Sequence, residues 1–417
     1  MTTMTPEVKQ RIKQIRQGEV PEGYKRTRYG IFPIEWNEKK VGECIEEYKK
    51  LSNDIQNIPV YSSSRKGLIP QSDYYDRKKA EETNLGYKIV PNGYVTYRHM
   101  SDDDIFHFNI NQTGKDILVS SEYPVFSSAN GTDLGFLIPA LNHTARFRYF
   151  CKTQKLGGTR TRLYLKNLLQ YSLFIPDYCE QKKIAAILTM QDKVIELKEK
   201  LLVEKQRQKK YLMQQLLTGK KRLPGFSGEW MNERLGELFS ERRETKCEGL
   251  EMLAITGTKG IVPRKELNLK DNSSEDKSKY LRVCVGDIGY NTMRMWQGVS
   301  AYSNYEGIVS PAYTVLRPSG SINAKYFAYL FKMPEIIFLF YRFSQGLVDD
   351  TRNLKYENFR KIKVFYPSDL KEQAAIVEIL STADHEFDLF QKDIEQEKQK
   401  KKALMQLLLT GIVRVNV

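Results

Sequence analysis

The sequence predicts an α/β protein of the α+β kind, in which two tandem mixed α/β blocks are joined by two long antiparallel coiled-coil helices as a pseudo-two-fold internal repeat. Three observations predict it. A 40-residue segment occurs twice, at 180–219 and 372–411, with 17 identical positions at a constant spacing of 192. Each copy carries an apolar stripe at helical spacing. The chain ahead of each copy repeats too, more loosely, in short apolar runs broken by glycine and proline.

The repeat sets the expected boundaries. An N-terminal segment, 1–35, should pack near the end of the C-terminal helix. A first block follows over 36–176, a spacer helix over 177–222, a second block over 223–367 and a second spacer helix over 368–417. Trp36 and Trp230 open the two blocks 194 residues apart, and Glu43 and Glu237 keep that spacing. A chain of 417 residues has room for two or three units. With 41% hydrophobic residues, including 25 Tyr and 19 Phe, each can build a core.

In the first helix Ile184, Leu188, Ile195, Leu202, Leu212 and Leu216 share a face, which Ile187, Val194 and Leu201 are expected to widen. In the second, Ile376, Leu380, Ala383, Phe387, Phe390 and Ile394 step by four and three before Leu404 and Leu408 resume the register. Pro176 and Pro367 stand just upstream, and Gly219 and Gly411 stand where a helix would stop. Forty residues make a rod of about 60 Å, and such a stripe needs a partner. The first copy carries nine Lys and Arg against five Asp and Glu, the second five against eight, so the two attract. An approximate two-fold axis requires them to run antiparallel, with the two blocks presented to one extended object.

The blocks read as many short strands. "GYKIVPNGYVTYRHM" (86–100) and "KYLRVCVGDIGYNTMRMW" (279–296) share a β-like run, a glycine turn, then Tyr and Arg or Asn. Tyr97 and Tyr290 lie in apolar contexts and are expected in the cores. "ILVSSEYPVF" (117–126) parallels "GIVSPAYTVL" (307–316), and each block closes on an Arg- and Asn-bearing turn, "GGTRTRLYLKN" (157–167) and "DDTRNLKYEN" (349–358).

Charge points to the ligand. The chain carries +15, and the two helical copies together account for one unit of it, leaving +14 on the blocks and their flanks. Such an excess favours polyanions, chiefly nucleic acid. Duplex DNA fits an internally two-fold protein, and because the blocks diverge more than the helices, the expected target is bipartite and asymmetric. Arg and Lys read guanine, Asn and Gln read adenine, and any of them can hold phosphate. The candidate contacts are Arg98, Arg146, Arg148, Arg160 and Arg162 in the first block. In the second they are Lys259, Arg264, Asn291, Arg294, Arg342 and Arg352.

Several classes are set aside. No apolar run is long enough to cross a membrane, and the opening residues are polar and charged, so neither a span nor a secretory leader is expected. Five scattered cysteines without CxxC spacing suit reduced thiols in the cytoplasm, and four isolated histidines offer no metal site. There is no Pro-Pro dipeptide of the kind expected in an amino-methyltransferase motif, and no GxxxxGK[ST] loop. "SDDDIF" (101–106) reads as loop acidity rather than a magnesium site. The chain is expected to bind rather than to catalyse. A stand-alone DNA-binding regulator and a coiled-coil scaffold are the competing classes.

The residues resemble the specificity subunit of type I restriction-modification systems. The resemblance runs through "GEVPEGYKRTRYGIFPIEW" (18–36), "GIVSPAY" (307–313), the two "EQ…IL" helix starts and the "LLTGKKRLPGFSGEW" junction (216–230). It implies two target recognition domains separated by spacer helices that set the distance between half-sites. It also implies two modification subunits bringing S-adenosylmethionine chemistry, and restriction subunits using ATP and Mg²⁺. This chain would itself need no cofactor.

Overall fold

The computed structural model describes residues 5–52, 54–71, 86–155, 157, 159–247, 249–257, 259–267 and 276–415. Gly158, inside the 157–167 turn, lies outside them, as do both extreme ends of the chain. Helices of seven residues or more are α1 (Pro6–Arg16), α2 (Leu134–His143), α3 (Ala145–Thr153), α4 (Tyr178–Leu216), α5 (Ala324–Leu330), α6 (Pro334–Phe343) and α7 (Leu370–Leu408). The helices α4 and α7 are each 39 residues long and are offset by the repeat spacing. The chain divides into two compact units, residues 1–198 with 393–417, and residues 199–392. The division cuts each long helix once, so each unit holds a block together with half of α4 and half of α7.

In the first unit a four-stranded antiparallel sheet runs in the order Phe108–Ile110, Val95–Tyr97, Val125–Ser128, Ile45–Glu47. Its core gathers Trp36, Tyr97, Phe108, Phe126, Phe136 and Phe147, all fully buried. The second unit repeats the order with Ser300–Tyr302, Ile288–Asn291, Tyr313–Pro318 and Phe239–Glu241. Tyr290, Tyr326, Phe327 and Phe359 fill its core. Tyr97 and Tyr290 are thus core residues with no exposed surface. The strand ladders of the described residues are antiparallel, with isolated parallel bridges only at Val60–Leu118 and Met252–Ile308, and the helices lie outside the sheets, which is the α+β arrangement.

Each long helix is started and stopped by the same devices. The Asp177 carboxylate accepts from the backbone N–H of Cys179 at 2.8 Å and of Glu180 at 3.0 Å, and Asp369 accepts from Lys371 at 2.8 Å. At the other end Gly219 and Gly411 take φ of +71° and +70°. A Cβ on Gly411 would come within 2.6 Å of Pro33, and one on Gly219 within 3.3 Å of the Trp230 ring. The repeated "LLTG" therefore ends a helix and leaves room for the segment packed across it.

Between these ends the helices are bound to each other inside each unit. In the first unit Glu180, fully buried, accepts from Arg414 Nε at 2.7 Å and Nη2 at 2.8 Å, and from Trp36 Nε1 at 3.2 Å. In the second unit Glu372, equally buried, accepts from Arg222 Nε at 2.6 Å and Nη2 at 2.7 Å. The start of each helix is thus clamped by the arginine that follows the other. Gln181 and Gln373, the next residues, turn to the blocks. Gln181 accepts from Asp133 N at 2.9 Å and Gln373 from Asn323 N at 2.7 Å, at the starts of α2 and α5. The repeated "EQ" thus has one residue for the opposite helix and one for the block. The copies differ at Trp230, whose buried Nε1 has no hydrogen-bond partner among the described residues.

Ion pairs along the helices are consistent with one register. Lys198 meets Asp393 at 2.7 Å and Glu397 at 3.0 Å, and Lys401 meets Asp192, all in the first unit. Lys205 meets Glu386 at 2.8 Å and Lys209 meets Asp384 in the second. As numbers rise on α4 they fall on α7, so in each unit the halves run antiparallel. Ile184, Leu188, Ile195, Leu216, Ile376, Leu380, Ile394 and Leu408 are buried, while Leu202, Leu212, Phe387 and Leu404 are half-buried. Leu201 does not widen the packed face; it is 43% exposed, because one residue from Leu202 means a rotation of about 100° away from the partner.

Replacing Arg414 by Leu leaves the buried Glu180 carboxylate uncompensated. Denaturant titration should show a loss of about 3–5 kcal/mol, much of it recovered by adding Glu180→Gln. A second outcome concerns pH. Hydrogen bonds from Gln191 and Lys198 hold the Glu397 carboxyl down from its ordinary 4.5 to about 2. A depressed carboxyl contributes stability that is present above its unfolded value and lost as pH falls through the folded one. Acid titration between about 4.5 and 2 should destabilise the native chain more steeply than Glu397→Gln.

Candidate nucleic-acid interface

Three loops gather at one end of the first unit's sheet. The hairpin Tyr61–Ser64/Gly67–Pro70 turns at Arg65 and Lys66. Arg98 follows the core strand Val95–Tyr97. The return loop brings Thr161–Arg162 into pairing with Met100–Ser101. Tyr97 helps place that loop from inside the core by donating its hydroxyl to Leu163 O at 3.0 Å.

The acidic stretch after Arg98 ties these loops together. Asp102 accepts from Arg160 Nε at 2.8 Å, Asp103 pairs with Arg65, and Asp104 accepts from the Thr161 hydroxyl. Asp104 sits at φ +63°, in the left-handed region that few side chains other than Asp and Asn visit readily. The three carboxylates are thus divided among a hairpin tip and two points of the return loop. Asp102 borders an open cleft of about 670 Å³ lined also by Arg65, Lys66, Arg98, His107 and Glu122. His99 lies buried beneath, stacked on Tyr164, and burial lowers its pKa.

The second unit builds the same three loops by other means. Its hairpin Leu253–Thr256/Gly260–Pro263 turns at Lys259. Asn291 ends the central strand, and its side-chain oxygen accepts from Met293 N at 2.9 Å, fixing the turn that carries Arg294. Lys332 braces that turn from below, donating to Gly298 O at 2.7 Å and Ser300 O at 2.5 Å. Burial pulls its ammonium down to about 8, while the two carbonyls favour the charged form. The return loop is again sewn to the strand end. Leu354 N donates to Thr292 O at 2.9 Å, as Leu163 N donates to His99 O at 2.9 Å. Its anchor is aromatic: the Arg352 guanidinium lies 4.0 Å from the Tyr341 ring centre and 5.9 Å from that of Trp296.

The structure sorts the sequence candidates. Arg98, Arg148, Arg162, Lys259, Arg294 and Arg342 are exposed, and none makes a side-chain ion pair or hydrogen bond among the described residues. Arg160 is exposed but tethered to Asp102, and Arg352 is half-buried on its aromatic anchor. Arg264 is half-buried in a short turn, its N–H donating to Met252 O at 2.9 Å. The Asn291 side-chain N–H groups make no hydrogen bond among the described residues. Two candidates are not brought to the loops. Arg146 stacks 3.3 Å from the centre of the Tyr29 ring, and Arg148 faces a cavity with His143, Lys402 and Gln406 beside the end of α7. Both sit on α3, which packs towards the helix junction, so basic composition alone misplaced them.

Arg65 and Lys66 belong with the candidates and were missed. The signal was present: "KGLIP" (66–70) and "KGIVP" (259–263) repeat at a spacing of 193, so Lys66 occupies the place of Lys259.

The chain is thus two tandem copies of one unit, each with a cationic loop set and half of each long helix. Residues 33–205 and 228–399 each match the family model of the type I restriction modification DNA specificity domain. The chain belongs to that family. It is 25% identical to a Methanocaldococcus jannaschii protein described as the type I restriction enzyme MjaX specificity subunit, over 94% of this chain and 97% of the relative. Its fold is similar to the crystal structure of a type I restriction-modification S subunit from M. genitalium. That match has a TM-score of 0.53 at 14% identity, covering 89% of this chain and 96% of the other. A chain from a structural study of type I complex assembly and conformational transition matches with a TM-score of 0.55 at 15% identity, covering 92% and 99%. No helix among the described residues is long and apolar enough to cross a membrane.

The aromatic anchor is open to test. Arg352→Lys keeps the charge but loses the flat guanidinium. Amide exchange at Gln345 and Asn353 should quicken several-fold, whereas Arg342→Lys should leave it unchanged.

Proposed function

We propose that this chain is the DNA-recognition subunit of a type I restriction-modification complex, and that each unit reads one half of a bipartite, asymmetric target. The hairpin tip, the strand-end turn and the return loop of each block form the reading surface. Free cations there serve phosphate and guanine, and Asn291 serves adenine. The helices α4 and α7 set the separation of the half-sites and offer the surface on which modification and restriction subunits assemble. Those partners carry S-adenosylmethionine, ATP and Mg²⁺; this chain contributes recognition and no catalysis, and works in the cytoplasm.

The observation that carries the reading is the repetition of one loop set, in the same place of both units, with unpaired cations in each. A scaffold of paired helices needs no such loops. A stand-alone regulator would not need the two separated blocks to diverge as these have.

Two measurements test it together, on the chain assembled with its modification subunits. Replacing residues 45–175 by the corresponding block of a relative should change one half of the methylated motif and leave the other half intact. Lys66→Ala and Lys259→Ala should each flatten the dependence of log K on log salt by about 0.9, one phosphate contact, without changing the motif. Unchanged motifs after the swap, or duplex binding that ignores salt, would overturn the reading.

A further inference from the structure

The return loops of the two units occupy the same place in the fold but present opposite chemistry. In the first unit the loop offers Arg160 and Arg162. In the second, the corresponding loop ends in Leu347, 99% exposed, with Val348 beside it at 59%. A wholly solvated leucine at a loop tip forgoes a hydrophobic gain that burial would supply, so its position asks for an occupant.

The tip is built to a shape. Gln345 and Asn353 exchange backbone hydrogen bonds of 2.8 and 2.7 Å across its base. Thr351 closes the turn on Val348, its N–H donating to Val348 O at 3.0 Å and its hydroxyl donating to the same oxygen at 3.0 Å. Gly346 takes φ +123°, and a Cβ there would come 2.6 Å from Thr351 O, so a side chain is excluded at the bend that projects Leu347. Below the tip, Arg352 is stacked on Tyr341 and paired with Asp349 at 3.4 Å.

We propose that Leu347, supported by Val348, is a specificity determinant that packs on the C5-methyl group of a thymine in the major groove. The inference rests on the DNA-recognition reading given above. Three observations select this occupant. The tip emerges beside the turn carrying Asn291 and Arg294, through the same strand-end bond that seats the arginine loop of the other unit. Among base edges in the grooves, the thymine methyl is the apolar group on offer, and it lies in the major groove. The next residues, Asp349 and Asp350, are exposed carboxylates. They oppose entry into a narrow minor groove, where the negative potential is greatest, whereas in the major groove a carboxylate can accept from cytosine N4. The two units would thus read by different means, one through guanidinium hydrogen bonds and the other through an apolar contact.

The test uses the complex of this chain with its modification subunits and a duplex carrying the motif found by methylome sequencing. Each thymine of the motif is replaced in turn by deoxyuridine, which removes the methyl group and leaves the hydrogen-bonding edge intact. Dissociation constants are measured for the native chain and for Leu347→Ala, a change that removes no contact within the fold. At one thymine the native complex should lose about four-fold in affinity, the worth of one buried methylene. Leu347→Ala should lose as much or more on the thymine duplex and show no further loss with deoxyuridine at that position. Independent, multiplying losses at every position would overturn the proposal, as would a native complex indifferent to every deoxyuridine. So would a Leu347→Ala chain whose defect is failure to assemble with modification subunits, which would make the tip a protein contact. Absence of any motif-specific binding by the native complex would overturn the recognition reading itself, and this inference with it.

Discussion

Two buried carboxylates, Glu180 in one unit and Glu372 in the other, decide how the two long helices pair within each unit. A carboxylate removed from water is tolerable only when it is paired and hydrogen-bonded, and each of these accepts both arms of one guanidinium. Each also lies in the first turn of a long helix, where the macrodipole favours a negative charge. The arginines come from the segments that follow the opposite helices, so the pairing is satisfied in one relative direction and one register. The Lys–Asp and Lys–Glu pairs along α4 and α7 are half-exposed and individually worth little. They bias the register, while the clamps and the apolar stripe enforce it.

The loops apply related physics with less uniformity. Among its cationic loops the first unit keeps three carboxylates in succession at 102–104. Each has a partner in a neighbouring loop, and together they hold cationic loops in place at the cost of local negative charge. The second unit reaches a similar end with Arg352 stacked on Tyr341 and with Lys332 under the turn. The frame is common to both units, and the means of holding the reading loops is not. The constraint on loop position is shared, and the chemistry displayed differs.

Much of the frame was legible in the sequence because duplication supplied a comparison inside one chain. The 192-residue offset gave both long helices, their proline starts and glycine stops, and the face carrying Leu188 and Leu380. The antiparallel pairing followed from symmetry and opposite net charge. Individual contacts were less legible for a definite reason. An arginine on a polar stretch looks the same in sequence whether it faces solvent, as Arg98 does, or lies on an aromatic ring, as Arg146 does on Tyr29. That distinction depends on residues more than a hundred positions away. The role of "EQ" was hidden similarly, because Arg414 and Arg222 lie 234 and 150 residues from their glutamates. Lys66 was recoverable from its repeat with Lys259, whereas the Asp102–Asp104 tethers have no counterpart in the second copy to reveal them.

The clamps carry a consequence for inheritance. Positions 180 and 414 are coupled physically, and so are 222 and 372, because removing either partner strands a buried charge. Both copies use the same Glu and the same Arg at corresponding places. A genetic exchange that substitutes one recognition block for another, with its flanking junctions, therefore delivers residues that re-form both pairs. Exchange of a block at these junctions therefore leaves the buried glutamate–arginine joint of each unit chemically unchanged.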